Sequence, residues 1–319
     1  MAPQSRAVQR IASAREVERE TDEASRSERQ GPRGPLDSAP VTRLRETRIR
    51  DNVWVWTLGG ETMATSYGAN CTAVLGWDAV LLVDPFITPA HARRVERALR
   101  EKTSLPLRHV VLTHHHTDHA LGAGWFAARG KEVVAHRACR DRMGVEHPGL
   151  VFSRRCEPEV ADLFRDAEPY LPSRTFEEGL TLDLGGTRAR IIHPGHNHTP
   201  GDAVVHLLAE SVVVCGDLVS NAYHVNYEDA KVKNLERGLE TLRALGASAY
   251  VPGHGPTGGI ELLDAQARYH REVREAVLRE ANADAALDRV RTAFPDHLLG
   301  AVLPSALAAW RSSEQSPDS

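Results

Sequence analysis

The chain has 319 residues, 41% hydrophobic and 26% charged, with a formal net charge of −4. That is enough apolar material for a sizeable soluble core, either one large α/β domain with tails or two domains. The mildly acidic balance and an aromatic content of 5% exclude the basic, ring-rich surface of a nucleic-acid partner.

Residues 1–45 carry mostly Arg, Glu, Ser, Gln and Pro, and Gly31-Pro32-Arg33-Gly34-Pro35 breaks any helix there. Such a segment buries too little surface to offset its ordering entropy, so a disordered tail is expected over 1–45. A transient charged helix from Ala12 to Arg29 is the local structure it allows. Its arginines are interrupted by acidic residues, unlike a transit peptide, and no apolar core marks a signal peptide. No segment has the apolar length of a membrane span. Cys71, Cys139, Cys156 and Cys215 lack CxxC spacing, so reduced thiols in the cytoplasm are expected.

Order begins with a strand-like run from Asn52 to Leu58. Cys71–Leu75 and Ala79–Val83 then form a hairpin around Gly76-Trp77-Asp78, with Asp84 at its end. Thr88 and Pro89 cap an amphipathic helix reaching about Lys102. A buried strand, His109–Leu112, precedes a histidine cluster. A helix over Gly122–Arg129, a strand over Glu132–Ala135 and a polar helical stretch to Tyr170 follow. Strands are expected at Thr175–Leu182, Arg188–Ile192, Ala203–Leu208 and Ser211–Cys215. A helix from Lys231 to Leu245 places Leu235, Leu239 and Leu242 on one face. Ala249–Val251 reads as a short strand and Gly259–Glu280 as a long helix. The order of meanders and strand–helix units suggests an α/β fold with two sheets between helix layers, over residues 46–310. Residues 311–319 read as a fraying tail.

The chemistry lies in Thr113-His114-His115-His116-Thr117-Asp118-His119, directly after a buried strand. Imidazoles and carboxylates suit zinc or iron(II), and a loop at a strand end aims alternate residues at one point. Further candidates are His198 in His198-Thr199-Pro200-Gly201-Asp202, Asp217 after Cys215-Gly216, and His254 in Pro252-Gly253-His254-Gly255. Each is expected in a loop after a strand, flanked by the Gly or Pro of a rigid turn. An isolated histidine is more often structural than a ligand; four His and Asp ligand candidates within six residues are not.

The His-x-His-x-Asp-His pattern at 114–119, with HTPGD at 198–202, GD at 216–217 and PGHG at 252–255, resembles the metallo-β-lactamase superfamily over roughly residues 50–280. The resemblance implies an αββα four-layer sandwich with its site between the sheets at one edge. It implies that His114, His116 and His198 bind one metal, that Asp118, His119 and His254 bind another, and that Asp217 bridges them. Two Zn2+ per chain are then expected, with Fe2+ as the alternative. A bridging carboxylate offsets the repulsion between two cations, and a metal-bound hydroxide attacks a carbonyl carbon, oriented by Asp118.

Around these ligands, Asp84 and Asp202 are expected to hold ligand loops by hydrogen bonds. His196 is expected beside the site rather than as a ligand, and His115 in a structural or solvent role. Tyr223 and His224 are candidates for a substrate wall, as is the segment Asp141–Tyr170. HTPGD and GDLV resemble the glyoxalase-II-like and sulfur-oxidation-associated hydrolases, implying hydrolysis of a small thioester, ester, lactone or amide. The alternative is a mononuclear-iron persulfide dioxygenase. β-Lactamase and nuclease activities, flavin-linked di-iron chemistry and a non-enzymatic binding role fit the pattern less well.

Overall fold

The computed structural model of the protein describes residues 43–315, so most of the expected tail, residues 1–42, lies outside the described part. Two sheets carry the chain. The first runs in order through β1 (Arg45–Arg50), β2 (Val53–Thr57), β3 (Asn70–Leu75), β4 (Val80–Val83), β5 (Leu107–Val111), β6 (Glu132–His136) and β7 (Arg174–Phe176). Its first three pairings are antiparallel and its last three parallel. The second contains β8 (Gly179–Asp183), β9 (Arg188–Ile192), β10 (Val204–Leu207), β11 (Val212–Ser220) and β12 (Ala249–His254), in the order β12-β11-β10-β9-β8. There β11 and β12 pair in parallel and the other strands antiparallel.

Alternation along the strands explains the layering, since successive side chains leave a strand on opposite faces. Val53, Val55, Leu81, Val83 and Val111 meet Ile191, Val205, Val212 and Val214 between the sheets. Trp56, Val80, Leu82 and Val110 face outward, under α1 (Pro89–Arg100), α2 (Thr117–Ala120), α3 (Gly124–Ala127) and α4 (Arg137–Cys156). The short α5 (Ala161–Phe164) packs beside α4. On the far side, Val213, Cys215 and Tyr250 of the second sheet lie under α6 (Leu235–Ala244) and α7 (Glu261–Arg279). The result is the expected αββα sandwich. α8 (Ala283–Ala293) and α9 (Leu303–Gln315) extend it, burying Val290, Leu307 and Trp310 against Tyr269 and Val273 of α7.

Four expectations change. Arg45, expected in the tail, opens β1, an exposed edge strand whose charged side chains hid it. Residues 311–315, expected to fray, continue α9, where Trp310 is buried and Glu314 pairs with Arg274 at 2.7 Å. The strand expected over Thr175–Leu182 is two, β7 in one sheet and β8 in the other, broken at Glu177-Glu178 where the chain crosses between sheets. The helix expected over Gly122–Arg129 starts earlier and in pieces, α2, a 3-10 turn over Leu121–Ala123 and α3. Gly122 presses so close to the backbone of Pro85 that a Cβ there would lie 2.2 Å from its carbonyl oxygen.

Candidate metal centre

The cluster forms where β5, β11 and β12, each paired in parallel with a neighbour, reach their C-terminal ends. Asp217 and His254 lie within β11 and at the end of β12, not in loops after them, because that pairing continues through Ser220 and His254. Asp118 and His119 sit in the first turn of α2.

Asp84 organises one side from a left-handed backbone, φ 53°, which aspartate tolerates better than most residues. It is buried, and its Oδ1 accepts the Thr113 amide at 2.8 Å. Its Oδ2 accepts the Thr113 hydroxyl at 2.6 Å and His119 Nδ1–H at 3.1 Å. The one hydroxyl proton of Thr113 is thereby committed, so its oxygen accepts from His114 Nδ1 at 3.0 Å. His116 Nε2 donates to Asp229 at 3.0 Å, and His254 Nδ1 donates to the Tyr67 carbonyl at 3.0 Å.

These partners fix the tautomers. Each ring spends its proton outward, which leaves bare lone pairs on His114 Nε2, His116 Nδ1, His119 Nε2 and His254 Nε2. The lone pairs face inward. His116 Nδ1 lies 3.0 Å from His198 Nε2, and His119 Nε2 lies 3.1 Å from His254 Nε2. Asp217 stands among them, with Oδ1 3.2 Å from His119 Nε2 and Oδ2 3.3 Å from His254 Nε2. The same Oδ2 is 3.6 Å from His198 Nε2 and 3.8 Å from His114 Nε2. Asp118 Oδ2 lies 3.3 Å from His254 Nε2. His114 Nε2 and Asp217 Oδ1 are buried without a hydrogen-bond partner.

Facing lone pairs and carboxylates repel unless a cation sits among them. Four groups of donor atoms lie close enough to share a metal among the described residues. Two of them hold the inward lone pairs, one set of His114, His116, His198 and Asp217, the other of Asp118, His119 and His254, while the groups Asp84-His114-His119 and His115-His116-Asp229 use the outward partners. Electrostatics agree. Burial alone would push His254 down, yet Asp217 and Asp118 raise it to about 9. Burial alone would raise Asp217, yet His254 and His119 hold it well below the usual carboxylate range. The cluster is a well of negative potential, and the residues present fit a pair of divalent ions.

Asp202 clasps the His198 turn. Its Oδ2 accepts the amides of Asn197 and His198 at 3.1 and 2.7 Å, and its Oδ1 the amide and hydroxyl of Thr199 at 2.9 and 2.7 Å. His196 stays outside both sets, its Nε2 donating to the Asp229 carbonyl at 2.8 Å. His224 lines the cleft with Nδ1 3.0 Å from the Tyr269 hydroxyl. Tyr223 does not line it: its hydroxyl turns back to donate to the Gly60 carbonyl at 3.1 Å. His115 is buried between Glu146 and Asp229 rather than solvent-facing. Cys215 is buried in β11 away from the donor sets, and no cysteine pairs with another among the described residues.

Two contributors escaped the sequence reading. Asp229, an acid in a polar loop with no motif around it, holds both His116 and Arg142. Tyr67 supplies the carbonyl for His254 from a strained turn, with Ser66 and Tyr67 at φ 50° and 51°, and Ser66 Oγ donates to the Asp118 carbonyl at 2.9 Å. That left-handed backbone is held by its contacts to the site and is visible only in three dimensions. A cleft of about 950 Å³ opens over Asp118, Asp217 and His254, and α4 supplies Arg142, Glu146 and Leu150 to one wall.

The model of the metallo-beta-lactamase superfamily matches residues 64–254. The chain is 26% identical over 204 residues to the alpha subunit of a 2,4-dinitroanisole O-demethylase from a Nocardioides species, covering 63% of this chain and 55% of that one. It is 28% identical over 201 residues to an atrochrysone carboxyl ACP thioesterase of Aspergillus aculeatus, covering 62% and 53%. It thus spans about half the length of these relatives. With the hydroxyacylglutathione hydrolase of Acidiphilium cryptum it shares 30% identity over 210 residues, 65% of this chain and 72% of the relative. Among solved structures, a metallo-beta-lactamase from Pontibacter korlensis superposes with a TM-score of 0.59 at 22% identity, over 72% of this chain and 99% of that one, a likeness of fold. With a family match across more than half its length and a donor set gathered between two sheets, the chain belongs to the metallo-β-lactamase superfamily.

Proposed function

We propose that the protein is a hydrolase of a small acyl or carbonyl substrate, with thioesters the leading class, working with two divalent ions of which zinc suits the donors best. The reading rests on one observation, the inward lone pairs of His114, His116, His119 and His254 around Asp217. Zinc takes neutral imidazole and carboxylate without preference for an octahedral oxygen shell. Ions held there supply Lewis acidity and a water that ionises near neutral pH. His114, His116 and His198 would hold one, Asp118, His119 and His254 the other, with Asp217 between them. Asp118, which lines the cleft, would orient the attacking oxygen by accepting its hydrogen bond. Thioesterase and hydroxyacylglutathione hydrolase relatives support a thioester over other acyl groups.

Elemental analysis of wild type and Asp217→Asn, with a screen of thioesters, lactones and β-lactams, tests this. Wild type is expected to hold two zinc ions and hydrolyse at least one class. Asp217→Asn keeps the shape and removes the charge, so it should fall toward one ion with turnover lower by orders of magnitude. One tightly held iron, no second ion on titration and oxygen uptake with glutathione persulfide would replace this reading with the dioxygenase.

A further inference from the structure

Beyond the ligands, the charge of the cleft is lopsided. Glu61, Glu146, Glu228 and Asp229 line it against a single guanidinium, Arg142. That guanidinium is already engaged by two of the four, through contacts to Asp229 and, at 2.5 Å, to Glu146. No lysine reaches the lining among the described residues. His147 and His224, also in the wall, are pushed down to about 4 by burial and add no charge at neutral pH.

A second, separate observation points to a ligand. His115 lines the cleft at 1% exposure, and neither ring nitrogen has a hydrogen-bond partner. Its Nε2 stands 3.3 Å from Glu146 and 3.4 Å from Asp229, off hydrogen-bonding geometry. Leu150, Val225, Leu299 and Val302 add apolar surface to the wall, beside the uncharged polar Thr117, Ser220 and Asn226. Away from the metal ions, such a pocket offers acceptors and apolar surface, and its one guanidinium is shared by two carboxylates through a single nitrogen.

Resting on the hydrolase reading, we infer that the cleft selects acyl substrates whose part beyond the scissile bond is uncharged or cationic, and rejects carboxylated ones. A like charge in a cleft lined by one sign of charge is repelled and an opposite one concentrated there, an effect worth about tenfold in kcat/KM at low ionic strength.

The test uses the zinc-loaded full chain and three acetyl thioesters of similar size: acetylthiocholine, S-acetyl-mercaptoethanol and S-acetyl-mercaptopropionate. Each rate is normalised to its hydroxide-catalysed rate in buffer. The cationic thioester should exceed the anionic one in kcat/KM by about tenfold or more, with salt shrinking the ratio. Glu61→Gln combined with Glu228→Gln should compress that ratio severalfold, with the neutral thioester changing less than either charged one. Calorimetric binding of the thioether analogues reads the same preference without turnover. Equal normalised rates with equal thioether affinities, or an anionic preference, would overturn the inference while leaving the hydrolase reading intact. No hydrolysis of any ester by protein holding two zinc ions would count against the hydrolase reading, and the thioether affinities would still decide the charge preference.

Discussion

Because Asp84 Oδ2 accepts both the Thr113 hydroxyl and His119 Nδ1–H, it settles which nitrogen of His119 faces the metal centre. Asp84→Asn isolates that effect, since asparagine also tolerates the left-handed backbone at this position. Its oxygen keeps the Thr113 amide, and its NH2, itself a donor, then faces the two donors from which Oδ2 accepted. His119 loses the acceptor that holds its tautomer. Metal affinity of the set containing Asp118, His119 and His254, which loses a direct partner, should drop about 10–100-fold, and that of the other set less, because His114 feels the change only through Thr113. Competitive titration with a chromophoric chelator resolves the two; equal weakening of both would refute this role. The candidate ligands were legible because His and Asp crowd into short motifs beside Gly and Pro, and the structure gathers them at one place. Gly253 shows why those glycines matter: a Cβ there would lie 1.7 Å from Asp217 Oδ1. Asp229 was not legible, since an acid in a polar loop looks the same in sequence whether it meets water or an imidazole.

At the scale of elements, α4 forms a cleft wall although its sequence argues against a stable helix. Gly144, Pro148 and Gly149 all lie inside it. A Cβ at Gly149 would meet nothing within 4 Å, and its φ is not left-handed. Gly149→Ala therefore restricts the unfolded chain without a native clash, and stability should rise by about 0.5–1 kcal/mol. Urea midpoints measure the gain; a loss would mean that the wall needs the freedom of glycine there, and kcat/KM should not change. Elements with strong periodicity were read correctly, α1 with its Thr88 cap above all. What failed was crossings and edges. β7 and β8 follow each other with only two residues between, and only pairing partners reveal that Glu177-Glu178 carries the chain from one sheet to the other. β1 reads as polar tail because an edge strand keeps charged side chains in water.

Across the whole molecule, the four apolar clusters that define the layers and the C-terminal helices are built without any metal ligand. Removing metal should therefore leave the fold standing, while acid should not. His91 and His270 are buried and neutral, pushed by desolvation to about 4 and about 3. A depressed pKa in the fold means that unfolded chain takes up the proton first as pH falls below 6.5. The stability each neutral ring contributes is present above that value and is lost on the way down to its folded pKa. Between pH 7 and pH 5 the loss comes to about 2 kcal/mol for each ring. His270→Gln tests one of them, because Gln keeps an acceptor for Gln266, whose Nε2 lies 2.8 Å from His270 Nε2. Urea unfolding of both proteins in chelator at pH 7 and pH 5 cancels the common titration of the ligand histidines. The variant should lose about 2 kcal/mol less than wild type between the two pH values. Equal losses would mean that His270 is already charged in the fold, or that water reaches it.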